Sequence, residues 1–385
     1  MKQSDERILT THVGSLPRTE QLIELLDRRG EGNEIDRNEL DDAVRKATTR
    51  AVRRQAEVGI DIANDGEQSR PGFHIYVADR LEGFSEQTIP RPLWADVEDF
   101  PTYAGKAFPD IVSEAQTRPV AVDDLRYVDE SSVDAEIERY RQAVDRTEVE
   151  FTESFVTAAS PGVIASSVGN EYYDSNDEFT FALAREMRNE YERIADEGMV
   201  LQIDAPDLLS ERHRKFKDLS LEEFKATARR RIEAINEATR DIPGEQIRLH
   251  TCWGNYEGPH HRDVSLEDVL PVLYEADVGG LLIEYANPRH HHEWRAFEEH
   301  PLPDEWRLAP GVVDVKTNII EHPQTVADRL CKWAEVVGDP TRILAAPDCG
   351  LATLAGHHVV DPEIAWAKLE ALSQGADNAS QRLFS

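Results

Sequence analysis

Short runs of apolar residues alternate along this chain with longer stretches whose apolar positions follow helical spacing. Apolar runs bounded by turn-forming residues predict buried strands, and apolar positions three and four apart predict helices that bury one face. Eight segments fit the strand pattern: Ile8 to Ser15, Ile60 to Asn64, Phe155 to Ser160, Met199 to Asp204, Ile247 to Cys252, Gly280 to Tyr285, Gly311 to Val315 and Arg342 to Ala346. Because continuous apolar strands alternating with helices are typical of parallel sheets, the pattern predicts an α/β protein, a single (β/α)8 TIM barrel over residues 1–385.

The helices between these strands are clearest in four segments: Glu39 to Val58, Leu221 to Thr239, Leu266 to Glu275 and Thr325 to Val337. Ser220 with Glu223 has the spacing of a capping box, and Ser265 is the expected cap of the third helix. Residues 71–150 break the alternation, since they are rich in Pro, Asp and Glu and show helical spacing only near Val133 to Arg146. We therefore predict that residues 71–150 are an insertion after the second strand, which acts as a lid.

The chain is strongly acidic, with 75 Asp and Glu residues against 43 Lys and Arg residues and a net charge of −32. Such a surface repels nucleic acids and anionic membranes, so neither is an expected partner. No apolar run is long enough to span a membrane, and the first residues lack the pattern of a secretory signal. We expect a soluble, cytoplasmic protein, and adaptation to high salt is one hypothesis for its acidity.

Three cysteines, Cys252, Cys331 and Cys349, are too few for a disulfide framework. A reducing compartment is the simpler interpretation, and it leaves thiolate chemistry or metal binding open. Cys331 lies within a helical apolar pattern and is predicted to be a packing residue. The other two cysteines lie at the ends of predicted strands, where a barrel carries its active site.

Polar side chains end three of the predicted strands. His250 and Cys252 lie two apart at the end of the fifth strand and therefore face the same way, Glu284 ends the sixth, and Cys349 follows the eighth. An imidazole, a carboxylate and two thiols suit Zn²⁺. Ordinary packing of the His-x-Cys pair and a salt bridge at Glu284 are the competing interpretations. The tract His290-His291-His292 is predicted to be a solvated loop.

Four segments carry a resemblance to a known family: Thr10-Thr11-His12-Val13-Gly14-Ser15, Asp65-Gly66-Glu67, Gln202-Ile203-Asp204 and Asp348-Cys349-Gly350-Leu351. With the strand-end residues, they resemble the catalytic half of cobalamin-independent methionine synthases and, more closely, their single-barrel relatives, which include epoxyalkane:coenzyme M transferase. The resemblance implies a zinc site at His250, Cys252, Glu284 and Cys349. It also implies that Ser15, Glu67 and Asp204 hold the polar end of an amino-acid thiol such as homocysteine.

Two positions depart from the methionine synthases. Lys316 stands where that family has a histidine that helps to protonate the leaving group, and the segment Ser160 to Ser167 lacks the tryptophan on which folate stacks. Lys316, its neighbour Asp314 and Tyr256 are the candidate catalytic residues, and an ammonium group can stabilise an anionic leaving group. Both departures look like the coenzyme M transferase branch.

The sequence therefore predicts a zinc-dependent thiol methyltransferase or alkyltransferase that uses one Zn²⁺ ion and no nucleotide or redox cofactor. Methyl transfer to homocysteine is the favoured reaction, from a donor simpler than polyglutamyl folate, with a corrinoid protein as one candidate donor. The first alternative is thiol alkylation of the epoxyalkane:coenzyme M transferase type. The second is a barrel of the related uroporphyrinogen decarboxylase type, which needs no metal, or a barrel that only binds.

Overall fold

A computed structural model describes residues 1–89, 92–109, 116–357 and 359–385 of the chain. Its strands in chain order are β1 (Leu9–Thr10), β2 (Ile62–Ala63), β3 (Leu81–Ile89), β4 (Gln116–Tyr127), β5 (Glu153–Ala159), β6 (Gly169–Asn170), β7 (Val200–Asp204), β8 (Ile247–Thr251), β9 (Gly280–Ile283), β10 (Arg307–Val313) and β11 (Leu344–Pro347). Eight of them form one sheet in the order β1, β11, β10, β9, β8, β7, β5, β2.

All pairings in this sheet are parallel, and an isolated parallel bridge between Thr11 and Ile62 joins β1 to β2. The sheet thus curves into a nearly closed barrel, which confirms the predicted (β/α)8 architecture. Each of the eight predicted segments overlaps a barrel strand. The seventh strand begins at Arg307, earlier than predicted. The prediction began after Pro310 because proline usually interrupts a strand, but here Pro310 lies within the strand, opposite Ile283.

Helices surround the barrel. In chain order they are α1 (Glu20–Gly30), α2 (Arg37–Glu57), α3 (Ala95–Glu98), α4 (Pro101–Ala107), α5 (Glu130–Thr147), α6 (Pro161–Ser167), α7 (Asn176–Asp196), α8 (Leu221–Thr239), α9 (Leu266–Leu273), α10 (Ala296–Glu299), α11 (Pro323–Val337) and α12 (Pro362–Leu383). The bounds of α8 and its capping box are as predicted. Helix α9 ends two residues before the predicted end, and Ser265 makes no side-chain hydrogen bond as its cap.

Residues 71–150 contain two different kinds of structure. Strands β3 and β4 form an antiparallel hairpin, and the short β6 pairs with β4 to make a separate three-stranded sheet. Helix α5, at the end of this range, packs beside α2 and α7 in the outer layer of helices. The part that departs from strand-helix alternation is therefore the segment before α5.

A buried ionic network ties this segment to the barrel. Glu136 of α5 accepts hydrogen bonds from Arg70 and Arg80, each at 2.7 Å, and Arg80 also bonds Glu190 of α7 at 2.8 Å. The Tyr76 hydroxyl donates to the same Glu190 at 2.6 Å. Each charge has a partner of opposite sign, which is the condition under which charges are tolerated in a protein interior. No helix in the described ranges is long and apolar enough to cross a membrane.

Candidate metal centre and thiol pocket

Two barrel strands bring a histidine and two cysteines together at the mouth of the barrel. His250 lies within β8, Cys252 follows it, and Cys349 follows β11. Cys349 Sγ lies 3.8 Å from Cys252 Sγ and 3.7 Å from His250 Nε2. A tetrahedral ion with Zn–S bonds of roughly 2.3 Å holds its sulfur ligands about 3.8 Å apart. The spacing of these atoms therefore fits a zinc ion between them.

The charge state of the three residues also suits a metal. All three are buried, and Cys349 Sγ donates a hydrogen bond to Cys252 Sγ. This hydrogen bond holds the pKa of Cys252 well below its usual range; burial opposes the shift, and His250 reinforces it. For Cys349, the same bond to Cys252 and burial both raise the pKa. The downward shift favours the thiolate of Cys252, which is the form of cysteine that binds metals.

The second ring nitrogen of His250 faces no partner among the residues that the structure describes. Its Nδ1 atom is buried and makes no hydrogen bond to any residue within the described ranges. A buried polar atom without a partner is rare and needs an explanation. The donor set of one imidazole and two thiols, with both sulfur atoms at ligand spacing, fits the metal that the sequence predicts.

Glu284 takes a different position from the other three predicted ligands. It lies outside the group of metal-ligand atoms that are within 4.8 Å of one another. Its Oε1 accepts from the Trp253 amide at 3.1 Å, and its Oε2 accepts from Lys316 Nζ at 2.7 Å and from Asn287 Nδ2 at 2.9 Å. The structure therefore shows a salt bridge at Glu284, which was the alternative to a metal-binding role for this residue.

Lys316 is fixed by the same set of contacts. Its side chain is 8% exposed, and its backbone amide donates to Asp314 Oδ1 at 2.8 Å. Burial lowers the pKa of Lys316 and the Glu284 carboxylate raises it, and the net shift is upward. The lysine thus carries a positive charge beside the ligand cluster, and Asp314 acts through the backbone that places it.

Asp348 is a residue that the sequence analysis quoted only as part of a motif. Its carboxylate accepts three backbone amides of the loop after β9, from Tyr285 at 2.8 Å, Ala286 at 2.7 Å and Asn287 at 3.0 Å. Burial, then the nearby Glu284, raises the pKa of Asp348 to about 6. The residue next to Cys349 therefore fixes the loop that follows Glu284. Its place between a strand end and a predicted ligand is the signal that could have identified it.

The predicted thiol pocket adjoins Cys349. A methyl group on Gly350 would collide with Ser15 Oγ, and one on Gly14 would collide with Glu67 Oε1, so these side chains pack directly against the backbone of the two loops. Ser15 Oγ accepts the Ala352 amide at 3.4 Å. The cap of α1 is Thr19, so Ser15 has no capping role in that helix.

Two buried carboxyl groups give this pocket its electrostatic character. Burial, with a contribution from Asp204, raises the pKa of Glu67 to about 7 although Arg70 opposes the shift. Burial raises the pKa of Asp204 to about 6, against the opposing effect of His250. Glu67 Oε2 has no hydrogen-bond partner among the residues described. An ammonium group on a ligand would supply the missing donor and the missing charge.

Tyr256 is directed toward the segment before α5. Its hydroxyl donates to Asp96 Oδ2 at 2.8 Å and lies 3.2 Å from His213 Nε2, and its ring stacks on Trp94 at 4.4 Å. Burial and then Asp96 raise the pKa of this hydroxyl. Its catalytic role stays a prediction.

The interpretation of the histidine tract as a solvated loop is wrong for His290. Its ring is buried and stacks on Trp253 at 3.6 Å, and its Nε2 lies 2.9 Å from Asp263 Oδ2, whereas His291 and His292 are exposed. His290 follows a strand end within a loop, where side chains have no fixed periodicity. The sequence pattern therefore could not show which of the three histidines points inward.

An α/β barrel with thiol and imidazole ligands at its mouth belongs to the metal-dependent barrel enzymes in architecture. The family model described as "Cobalamin-independent synthase, Catalytic domain" matches residues 8–365, so the chain belongs to that family. The family resemblance inferred from the motifs is confirmed. A corrinoid methyl donor receives no support from a family described as cobalamin-independent.

Curated relatives cover almost the whole chain. A methionine synthase of Thermococcus kodakarensis is 27% identical over 378 residues, which is 97% of this chain and 94% of that protein. A methionine synthase of Saccharolobus solfataricus is 25% identical over 381 residues, 97% of this chain and 95% of that protein. The similarity therefore extends over nearly the full length of this chain and of both relatives.

Solved structures show the same fold. A B12-independent methionine synthase from Shewanella, in complex with selenomethionine, superposes with a TM-score of 0.73 at 19% identity and covers 98% of this chain and 99% of its own. A putative vitamin-B12-independent methionine synthase from Listeria monocytogenes superposes with a TM-score of 0.63 at 20% identity, covering 97% and 98%. These likenesses confirm the barrel fold.

Proposed function

We propose that this protein is a zinc-dependent methyltransferase that transfers a methyl group to the sulfur of homocysteine. The observation that carries the proposal is the cluster of His250 Nε2, Cys252 Sγ and Cys349 Sγ at the spacing of tetrahedral ligands. The methionine synthases aligned over nearly the full chain support homocysteine as the acceptor. Thiol alkylation of the coenzyme M type has no corresponding support among these relatives.

Three protein ligands leave one ligand position for a substrate. Glu284 is engaged by Lys316, Asn287 and Trp253, so it does not compete for that position. Zinc, when bound, lowers the pKa of a coordinated thiol and so maintains it as a thiolate nucleophile. His250, Cys252 and Cys349 would hold the ion, and its positive charge would keep the substrate thiol deprotonated.

The thiol pocket orients the substrate. Glu67 and Asp204 bind the ammonium group of homocysteine, and Ser15 binds its polar end. Lys316, placed by Asp314, supplies the positive charge that stabilises the leaving group of the methyl donor, and Tyr256 is a second candidate for this role. Positioning of thiol and donor in line supplies much of the rate enhancement in such reactions.

The segment before α5 is the proposed lid. Asp96 of α3 accepts hydrogen bonds from the Tyr256 hydroxyl and the His260 amide, both at 2.8 Å, which holds α3 against the loop after β8. Because the two ligand thiols must stay reduced, we also place the protein in the cytoplasm.

The experiment that tests the function follows product formation by mass spectrometry. Zinc-loaded protein is incubated with homocysteine and 5-methyltetrahydrofolate carrying one or three glutamates and a deuterated methyl group. The expected product is deuterated methionine. A parallel arm supplies coenzyme M and epoxypropane; a hydroxyalkyl thioether in this arm, with no methionine in the first, would replace the proposal by the alternative reaction.

Substrate binding is tested separately with cobalt. Co²⁺ bound to thiolates gives an intense sulfur-to-metal charge-transfer band, and homocysteine should increase its intensity by adding a third sulfur. Homoserine, which has a hydroxyl in place of the thiol, is the matched control and should leave the band unchanged. An unchanged band with homocysteine would contradict direct coordination of the substrate sulfur.

A further inference from the structure

A second cluster of potential metal ligands lies outside the proposed active site. It consists of His213, His260, Asp263 and His290, and we refer to these residues as the Asp263 cluster. His213 ends a 3-10 turn after β7, His260 and Asp263 follow β8, and His290 follows β9. All four side chains are at most 5% exposed. No sulfur atom belongs to the cluster.

One nitrogen of each imidazole ring faces the Asp263 carboxylate. His260 Nδ1 and His290 Nε2 each lie 2.9 Å from Asp263 Oδ2, and His213 Nδ1 lies 3.3 Å from Asp263 Oδ1. The ligand atoms of His260, Asp263 and His290 are all within 4.8 Å of one another. A single ion can therefore contact three of the four residues at once.

The other nitrogen of each ring faces a different oxygen atom. His260 Nε2 lies 3.0 Å from the Tyr256 carbonyl oxygen, which can only accept a hydrogen bond. His213 Nε2 lies 3.2 Å from the Tyr256 hydroxyl, whose own proton is directed to Asp96. His290 Nδ1 lies 3.5 Å from Glu293 Oε1. The outward nitrogens of His260 and His213 are therefore placed to carry the ring N–H, whereas that of His290 faces a carboxylate without a hydrogen bond to any described residue.

This arrangement decides where the lone pairs point. A neutral imidazole has one N–H and one lone pair, so outward protons leave inward lone pairs directed at the Asp263 carboxylate. Lone pairs facing a carboxylate repel it unless a cation lies between them. Histidines that bind metals almost always donate the second ring N–H to a carboxylate, a carbonyl or water. The Asp263 cluster has this pattern at His260 and His213, and His290 has a carboxylate near its second nitrogen.

We propose that the Asp263 cluster binds a divalent first-row transition metal through His260, Asp263 and His290, with His213 beside it. Imidazole and carboxylate ligands without sulfur suit Zn²⁺, Co²⁺ or Ni²⁺. The competing arrangement has an N–H on each inward nitrogen, so that His260 Nδ1 and His290 Nε2 donate to Asp263 Oδ2 in the absence of a metal. Metal titration distinguishes the two arrangements.

The position of the cluster indicates what the ion would do. It joins the loops after β7, β8 and β9, and Tyr256 and His260 connect it to Asp96 of α3. An ion there would cross-link the loops after β8 and β9 at the barrel mouth and hold the proposed lid segment against them. This is a structural role, and it does not depend on the proposed methyl transfer.

The test uses a variant from which the thiolate site has been removed. The double variant Cys252→Ser/Cys349→Ser keeps the Asp263 cluster intact and is titrated with Co²⁺ after chelation of all metal. We expect one ion to bind per chain, without a sulfur-to-metal charge-transfer band, and X-ray absorption should show imidazole nitrogen and oxygen neighbours. Absence of binding at micromolar Co²⁺, or sulfur neighbours, would overturn the proposal whether or not the protein transfers methyl groups.

Variants of the cluster on the same background locate the site. Asp263→Asn and His290→Gln, each added to the double variant, should weaken Co²⁺ binding by about tenfold or more. His292→Gln is the matched control, because His292 lies two residues from His290 but its side chain is 56% exposed. If binding in the Asp263→Asn and His290→Gln variants equals that of the control, the ion binds elsewhere and the assignment is wrong. A loss of folding in either variant leaves the titration of the parent double variant decisive.

Discussion

Cys252 and Cys349 show how far a single residue depends on its neighbours for its chemistry. Both are free, buried thiols, yet the hydrogen bond between them shifts their pKa values in opposite directions. Cys331 has the same side chain in the half-buried part of α11, and it packs against the core with no such partner described. Cys331 is therefore a suitable control residue for substitutions at Cys252 and Cys349.

This comparison gives the first prediction. Cys349→Ser removes one proposed zinc ligand with little change in size, so we expect methyl transfer to fall by at least about a hundredfold and the cobalt charge-transfer band to weaken. Activity by mass spectrometry and the absorption spectrum of the cobalt form check both effects. Cys331→Ser should retain both signals; equal losses in the two variants would mean that general destabilisation, and not ligand loss, is responsible.

Glu67 gives the second prediction, which concerns pH. Its pKa is raised to about 7, so the side chain is neutral below that pH and can attract the substrate ammonium only above it. We expect the KM for homocysteine to fall as the pH rises from about 6 to about 8. In Glu67→Gln the KM should be higher and lack this pH-dependent fall. A wild-type KM that rises over this range would contradict the role of Glu67.

The same shift has a consequence for stability. Since the folded pKa of Glu67 lies above its unfolded value of 4.5, the folded state favours the protonated form, and stability is lost as the pH rises through about 7. Glu67→Gln removes this penalty. The metal-free variant should therefore unfold at higher denaturant than metal-free wild type at about pH 8, and the difference should disappear near pH 4.

At the scale of elements, the alternation of apolar runs and amphipathic stretches was sufficient to predict every barrel strand and the position of α8. The strand prediction succeeded because a strand in a parallel sheet is buried on both faces, so nearly all of its residues are apolar. The predicted ends of the strands were less accurate where a residue type that usually ends a strand lies within one, as Pro310 does in β10. The clustering of His250, Cys252 and Cys349 was predictable because strand ends converge in a barrel.

Contacts between loops could not be predicted in this way. The convergence of His213, His260 and His290 on Asp263 depends on loop paths that have no period. The hairpin of β3 and β4 was likewise hidden, since its side chains are mostly half-buried or exposed and give no continuous apolar run. Sequence periodicity therefore located the clustered residues at the strand ends but not the loop contacts around them.

The ion pair between the ends of β9 and β10 gives the third prediction. Lys316→Met removes the only cation bonded to Glu284 among the described residues and leaves a buried carboxylate without its charge partner. We expect a loss of about 3–5 kcal/mol in the free energy of unfolding. The double variant Lys316→Met/Glu284→Gln should recover much of this loss. Chemical denaturation measures both, and additive losses would contradict coupling between the two side chains.

At the scale of the whole molecule, charge is the dominant feature. The net charge of −32 is spread over a surface where many carboxylates pair with arginines, as Glu363 does with Arg50 and Arg54. Pairs of this kind contribute little at the surface, and the remaining excess of negative charge disfavours the compact state. The acidic composition therefore reduces stability when counterions are scarce.

Salt dependence gives the fourth prediction. We expect the melting temperature to rise with KCl, because counterions screen the repulsion among carboxylates. Simple screening acts mostly below about 0.2 M, whereas specific adaptation to salt would continue the rise toward molar concentrations. Sucrose at matched osmolality controls for preferential exclusion. A melting temperature that stays flat or falls with KCl would reject salt adaptation.

The pairing of the first and last barrel strands, β1 and β11, has a consequence for biosynthesis. Cys349 follows β11 immediately, so a nascent chain still held in the ribosomal tunnel at this point lacks both the closing strand and one sulfur atom. If the proposed zinc site is correct, the ion meets all three protein ligands only after Cys349 has been synthesised and β11 has paired with β1. Metal would then bind late in the folding of the barrel and not to its earlier intermediates.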